Sequence, residues 1–592
     1  MDRFFNKILA VIFILSVTGF VLTFRRIYPL QLTKSEGFLA QIPIIFWIGL
    51  SLSLLIIAVL VIVHQHAIFS FVATIGFYLL FSSYQFLFKG LFGGDYSPDT
   101  RRIMLENPFF DPEQYFYYLQ WPNKYILFRE QYLITGGGDD VLVNVERMFF
   151  LLVILFSISV WYFVYSSTTD PVYSFFGATL FLVIVHPFLN FQSVPQFFAL
   201  SLLLFLFGIH DNRGRAWLMS KLTLFTALVL SHPMLYIFYL GAILLQPIFY
   251  GLWRSIGEFC SREGEPLYSL LVPAARSPRT TAQSTLDHTI EFIRNRHWLV
   301  PTALFISIYL TLYLYRFVMW QTQMISTMLL DPKGHTAAFI QRVSGLLGLR
   351  DTESISTEEI AIQGVSYLAN ATVSNLTTFT SMVLVAAVGL LLVTTFLFRE
   401  HSSISPFQVS IFGPAIGYFS VGSTMNILGL RSFQIIFLPL ITSVGIIRKF
   451  DTRWLLVVIV VILTVSPILV ANSLNNATLD AGHKSGDYYT EESGKWISEY
   501  GTTPVLQSHS TAYPIQSTYG QVIENMQQTF SSSDAYIVES NSAHLIQFDY
   551  KVYHSQYYFK HQCNFDEQRI IYDNGNTVMW DPGGEFDCIP AE

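Results

Sequence analysis

Residues 42–63 read "IPIIFWIGLSLSLLIIAVLVIV", residues 64–66 read "HQH", and residues 67–88 read "AIFSFVATIGFYLLFSSYQFLF". Neither apolar run contains a single Asp, Glu, Lys or Arg. A helix needs about 20 apolar residues to cross hydrocarbon about 30 Å thick, and a helix satisfies its own backbone polar groups where no water can. Both runs meet that length. The histidines between them have no further ligands nearby, so "HQH" reads as a tight turn rather than a metal site. The stretch therefore predicts a helical hairpin in a bilayer.

The same pattern repeats outward in both directions. Runs suited to spanning number about thirteen. They lie near residues 6–24, 42–63, 67–88, 146–166, 171–189, 194–209, 216–231, 235–253, 298–318, 376–398, 407–424, 433–447 and 454–471. The two short runs around "SHPML" could instead form one broken unit. Of the 592 residues 52% are hydrophobic and 13% charged, against about 25% charged in an ordinary soluble domain. The net charge of -7 is spread along the chain without a block of like charge, so no nucleic-acid partner is indicated. Arg3 and Lys7 precede the first run and no small-residue cleavage site follows it, which predicts a retained signal-anchor.

Orientation follows from the distribution of Lys and Arg. With a cytoplasmic N-terminus, Arg213, Arg215, Arg399, Arg448, Lys449 and Arg453 fall on the cytoplasmic side, as short basic loops should. The long loop 254–296, with Arg254, Arg262, Arg276, Arg279, Arg294 and Arg296, falls there too. The sequons at Asn370, Asn375 and Asn476 then lie outside. Cys260 is inside, while Cys563 and Cys588 share the external tail and could pair there. Arg25, Arg26 and Lys34 run against the rule, because they follow the first span on the external side.

This topology leaves most of the soluble mass external: loop 89–145, loop 321–374, and a tail 472–592 behind a membrane domain 1–471. The first loop contains "DPEQYFYYLQW", an amphipathic stretch suited to the interface plane. "GGGDD" follows it and reads as a turn entering the next helix; a phosphate cradle would need a following Lys and Ser or Thr. The tail opens on a helix-like "EESGKWISEYG" and continues in strand-like runs, "TPVLQSHS", "DAYIVES", "HLIQFDYKVY", "RIIYDNG" and "NTVMWDP", with "DNGN" as a hairpin signal. A small α/β domain is expected there.

Polar residues collect at one depth on the external side. Asp95, Asp99, Arg101 and Arg102 follow the third span in "LFGGDYSPDTRR", residues 91–102. His186, Gln192 and Gln196 lie in "HPFLNFQSVPQ", His232 in "SHP", Arg316 at the end of the ninth span, and Arg431 at the start of the twelfth. Charge near hydrocarbon costs up to about 2.5–3.5 kcal/mol on insertion scales, so such groups need a partner or a wet cavity. Carboxylates beside a divalent cation, Mg or Mn, could serve as base or ligand for an incoming hydroxyl, and arginines would hold a phosphate in bidentate fashion. Each also has a plainer account. Asp95 and Asp99 flank "YSP", a spacing common in turns with solvated carboxylates. Arg101 and Arg102 would serve as a solvated or headgroup-facing pair, and His186 and His232 precede prolines at helix ends.

The chain resembles the GT-C superfamily of membrane glycosyltransferases, and more closely the archaeal glycosyltransferase-like integral membrane proteins. The matching segments are "YYLQWPNKYILFREQYLITG", "HPFLNFQSVPQFFALSLLLFLF", "SHPMLYIFYLGAIL", "LRSFQIIFLPLI", "KWISEYG" and "RIIYDNGNTVMW". The likeness is a pattern of spans and edges over most of the chain. It implies transfer of a sugar from a polyprenyl-phosphate carrier on the external face. Asp95 and Asp99 would then be base or metal ligand, and Arg431 a contact to the carrier phosphate. Two departures stand out: the acidic motif follows the third span rather than the first, and "DYSPD" is not a DxD or ExD pair.

The expectation is an α-helical polytopic protein of the cell membrane, GT-C-like, with an extracytoplasmic α/β tail. It would move a sugar from its lipid carrier to a protein, lipid or glycan acceptor. A lipid-carrier or polysaccharide flippase is the rival of another class; paired halves and ionisable groups near the bilayer midplane would mark one, whereas here the charges gather at one edge. A non-catalytic receptor or assembly scaffold, binding through its tail, is the third reading.

Overall fold

A computed structural model describes residues 3–27, 42–83, 130, 133, 141–185, 194–212, 214–231, 235–236, 238–247, 410–411, 414 and 466–471, and the strand segments of the tail named below. The helices are α1 (Arg3–Ile27), α2 (Ile44–His64), α3 (Ala67–Ser82), α4 (Val141–Thr168), α5 (Pro171–Val185), α6 (Val194–Ile209) and α7 (Arg215–Ser231), followed by α8 (Phe238–Pro247). They coincide with the first eight apolar runs. Among the described residues, two helical stretches are long and apolar enough to cross a membrane, Ile44–His64 and Phe150–Thr168. The runs from residue 298 onward lie outside the described residues apart from 410–411, 414 and 466–471. Loops 89–145 (but for 130, 133 and the first residues of α4), 254–296 and 321–374 lie outside them too.

Tight turns set the direction of each neighbour. "HQH" is such a turn: Gln65 adopts a left-handed conformation at φ 47° and its backbone N–H donates to the Val61 carbonyl at 3.0 Å, closing α2. Thr169 does the same work between α4 and α5 at φ 54°. Asp170 then caps α5, its Oδ1 accepting from the backbone N–H of Val172 at 2.9 Å and of Tyr173 at 3.3 Å. Pro171 occupies the first helical position, where its missing N–H costs nothing.

Packing confirms that the helices alternate. The Phe20 and Phe46 rings lie 4.9 Å apart, and a Cβ placed on Gly49 would come within 3.3 Å of the Ser16 carbonyl, so α1 and α2 run antiparallel. Ser70 joins three helices: its hydroxyl accepts from Trp161 Nε1 at 2.9 Å and donates to the Pro171 carbonyl at 2.5 Å. Two turns further along α3, Tyr78 Oη donates to the Ala178 carbonyl at 2.7 Å, and its ring lies 5.9 Å from that of Phe156. Hence α3 and α5 run parallel, with α4 antiparallel to both. Ring contacts Phe156–Phe197 at 4.3 Å and Phe163–Phe207 at 6.1 Å align α4 with α6. Phe225 touches Tyr236 and Tyr239, and the runs around "SHPML" form two antiparallel helices, α7 and α8.

The bundle therefore has two ends. Gln65–His66, Thr169–Asp170 and the residues after Ile209 lie at the turn end. The other, the loop end, receives the C-termini of α1, α3, α5 and α7 and the N-termini of α2, α4, α6 and α8. Arg25, exposed in the last turn of α1, complements the negative end of that helix dipole.

Between the helices the core is aromatic: Phe77, Phe81, Phe156, Phe175, Phe181 and Phe197 are fully buried. The outward faces are apolar as well, with Leu15 66%, Ile44 72% and Ile68 80% exposed. Apolar residues all round a helix suit lipid rather than water. In lipid, helices associate through close packing and interhelical hydrogen bonds, and small residues permit the approach. Gly49 and Gly208 supply it here.

In the tail, backbone pairing defines β1 (Val505–Gln507), β2 (Glu524–Asn525), β3 (Tyr536–Ser540), β4 (His561–Cys563), β5 (Arg569–Asp573), β6 (Thr577–Asp581) and β7 (Cys588–Pro590). Five of them form a mixed sheet in the order β2-β1-β3-β6-β5, and β4 pairs with β7 separately. β1 is parallel to β2 and β3, whereas β6 is antiparallel to β3 and β5. β1, β3, β5 and β6 fall within predicted strands, and "DNGN" joins β5 to β6. "HLIQFDYKVY", "EESGKWISEYG" and "DPEQYFYYLQW" lie outside the described residues.

A Cβ on Gly208 would stand 2.8 Å from Tyr162 Cδ1 and 3.4 Å from Phe163 Cα, whereas one on Gly19 meets nothing within 4 Å. Gly208→Val is expected to lower stability by about 1–3 kcal/mol through overpacking. Gly19→Ala should change it by no more than about 1 kcal/mol, in the stabilising direction. Denaturant titration in mixed micelles, followed by tryptophan fluorescence, reads both; equal midpoints would rule out the α4–α6 contact.

Candidate functional site

The sequence places its candidate site in the connections, and the fold fixes where those connections attach. Asp95, Asp99, Arg101 and Arg102 belong to the segment that leaves the C-terminus of α3 and returns at the N-terminus of α4. His186 follows Val185, the last residue of α5; Gln192 precedes α6 and Gln196 is the third residue of that helix; His232 follows Ser231, the last residue of α7. All these attachment points are at the loop end. Gln196 is the one member of the set among the described residues, and there by its backbone alone. Asp95, Asp99, Arg101, Arg102, His186, Gln192, His232, Arg316 and Arg431 lie outside them, so no distance between the predicted groups is given by the structure.

A second polar centre, which sequence reasoning missed, is built at the turn end. His210, one residue past α6, is fully buried. Its Nε2 stands 2.9 Å from Gln246 Oε1 and its Nδ1 3.2 Å from Tyr239 Oη. An amide oxygen only accepts, so His210 Nε2 donates to Gln246, and Nδ1 shares a hydrogen bond with the tyrosine hydroxyl. Lys221, in the second turn of α7, is 6% exposed, and its Nζ donates to the His210 carbonyl at 2.5 Å and to the Asn212 carbonyl at 2.7 Å. Those carbonyls are left over where α6 ends, so the ammonium meets the negative end of a helix dipole and two oxygens together. A buried ammonium is tolerated only with such compensation.

This centre ties α6, α7 and α8 at one level. Its signals in the sequence were a histidine beginning "HDNRGR" and a lysine inside an apolar run. Neither shows which carbonyl or amide will be opposite, because those partners come from other helices.

Among the described residues, no group of three or more His, Cys, Asp or Glu is gathered to hold a metal ion. Asp95 and Asp99, the expected ligands of a divalent cation, are not among the residues so described. No family model matches the chain, and no curated protein matches it either.

Replacing Lys221 by Met keeps the length of the stem and deletes the donor, leaving the His210 and Asn212 carbonyls without it. The expected loss is about 1–3 kcal/mol, read as a lower denaturation midpoint of the purified protein. An unchanged midpoint would show that the ammonium contributes nothing to holding the α6–α7 turn.

Proposed function

We propose that the chain is a multi-pass membrane glycosyltransferase of GT-C type, with a cytoplasmic N-terminus and about thirteen spans, working on the external face. The observation that supports it most is the alternation of the helices. Eight of the ten candidate residues fall in or beside connections attached at one end of the bundle. That arrangement suits a single polar hollow just beyond the lipid, assembled from segments distant in sequence.

In this reading the donor is a sugar on a polyprenyl phosphate, its prenyl chain lying against the apolar outer faces of the helices. Asp95 or Asp99 accepts the proton of an acceptor hydroxyl on a protein, lipid or glycan. The hydroxyl oxygen then bonds to the anomeric carbon as the bond from that carbon to the carrier's phosphate oxygen breaks. Attack from the face opposite the leaving group inverts the anomeric centre. Arg101, Arg102, Arg316 and Arg431 receive the negative charge left on the phosphate, where bidentate hydrogen bonds offset it most effectively. His186, Gln192, Gln196 and His232 would orient donor and acceptor. A divalent cation, if used, would be held by Asp95 and Asp99 and would stabilise the same leaving charge. The tail, residues 472–592, would fold outside as a small α/β domain around the mixed sheet.

Two measurements test this. For orientation, Glu130 and Thr169, both exposed, are replaced singly by Cys in a cysteine-free background. A membrane-impermeant maleimide applied to intact cells is expected to label Glu130→Cys and spare Thr169→Cys; the reverse pattern would invert the topology. For chemistry, Asp95→Asn and Asp99→Asn are made singly and together, with surface glycan composition as the readout. Loss of the general base should slow transfer by about 10²–10⁴-fold. Unchanged glycans in all three variants would remove the mechanism, and translocation of the sugar carrier in vesicles lacking any acceptor would favour a flippase.

A further inference from the structure

The chain holds three cysteines in 592 residues, and two of them meet across a strand pair. β4 and β7 are antiparallel, with His561 opposite Pro590, Gln562 opposite Ile589 and Cys563 opposite Cys588. Directly opposed residues of an antiparallel pair have Cα atoms about 4.5–5.5 Å apart. A disulfide requires about 4.4–6.8 Å. Opposed positions also share one face of the ladder, so the register satisfies the backbone requirement for a bond without any shift of the chain.

We propose that Cys563 and Cys588 form an intrachain disulfide that closes the neck of the tail's nested hairpin. This rests on the reading above that the tail lies outside the membrane, in an oxidising compartment. Cys563 is the last residue of β4 and Cys588 the first of β7. Between them lies the β5–β6 hairpin, whose β6 joins the larger sheet through β3. The bond would therefore sit where the outer ladder gives way to the inner one. The outer ladder needs such a lock, since a two-stranded pair three residues long is marginal by itself in water.

Formation needs an oxidant, here a disulfide carrier of the thiol–disulfide exchange type. One cysteine thiolate attacks a carrier sulfur, the carrier's S–S bond breaks, and a mixed disulfide forms with release of one carrier thiolate. The second cysteine thiolate attacks the mixed disulfide and expels the other carrier sulfur. Two protein thiols are oxidised, the carrier disulfide is reduced to two thiols, and the protons pass from the cysteines to the carrier through water.

The test counts thiols on the full-length chain from acid-quenched cells, denatured and alkylated with a polyethylene-glycol maleimide before or after reduction. One adduct before reduction, at Cys260, and three after are expected from the three cysteines. Cys563→Ser and Cys588→Ser should each give two adducts without reduction, since each frees the other member of the pair. Protease added outside intact cells reports the side of the tail independently. Three adducts without reduction on a tail that external protease cleaves would overturn the disulfide and leave the topology standing. Three adducts on a tail protected from external protease would overturn both. A non-reduced dimer that resolves on reduction would overturn the intrachain pairing.

Discussion

A backbone that turns back on itself within a few residues governs the described helices. Where α2 meets α3 and α4 meets α5, Gln65 and Thr169 take left-handed conformations that end one helix and start the next. So short a connection cannot cross the thickness of the bundle, and neighbours must be antiparallel. Once three such turns share an end, the connections from α1 to α2, α3 to α4, α5 to α6 and α7 to α8 attach at the other, while the chain after α8 leaves from the turn end. The antiparallel order of neighbours is therefore a consequence of connection length, and it decides at which end each later connection attaches.

Specific contacts then choose which antiparallel partners meet. Apolar surface alone does not distinguish one helix face from another when the outward faces are equally apolar. The Ser70 hydroxyl, shared between the Trp161 indole and the Pro171 carbonyl, and the Tyr78 bond to the Ala178 carbonyl have one geometry only. Gly49 against Ser16 and Phe20, and Gly208 against Tyr162 and Phe163, let backbones approach where any side chain would hold them apart. Close packing and a few hydrogen bonds thus supply the selectivity that the hydrophobic effect cannot give within hydrocarbon.

The two ends differ in the way they treat charge. At the turn end, Lys221 and His210 are buried and bonded to carbonyl, amide and hydroxyl partners. Such groups hold helices in register and present no open position among the partners named. The loop end receives the segments that carry Asp95, Asp99, Arg101, Arg102, His186, Gln192 and His232. On the proposed reading, those segments would admit a lipid phosphate and a hydroxyl.

Much of this was legible in the order of residues. Charge-free runs marked α2, α3, α5 and α6 to within a few residues, because a helix in hydrocarbon has to be apolar along its whole length. "HQH" announced its turn, and "RIIYDNGNTVMW" announced the β5–β6 hairpin, because alternation and turn chemistry are local properties. The candidate residues could be read only as types in the connections, and all but Gln196 lie outside the described residues. Partners were not legible. No local pattern tells that Ser70 will face Trp161 across ninety-one residues, that Lys221 will cap the end of α6, that the runs around "SHPML" will fold as two helices, or that Cys563 will stand opposite Cys588. Those pairings depend on register between distant segments, which is settled when backbones dock and each buried donor finds its acceptor; sequence determines what must be buried, and tertiary structure decides against what.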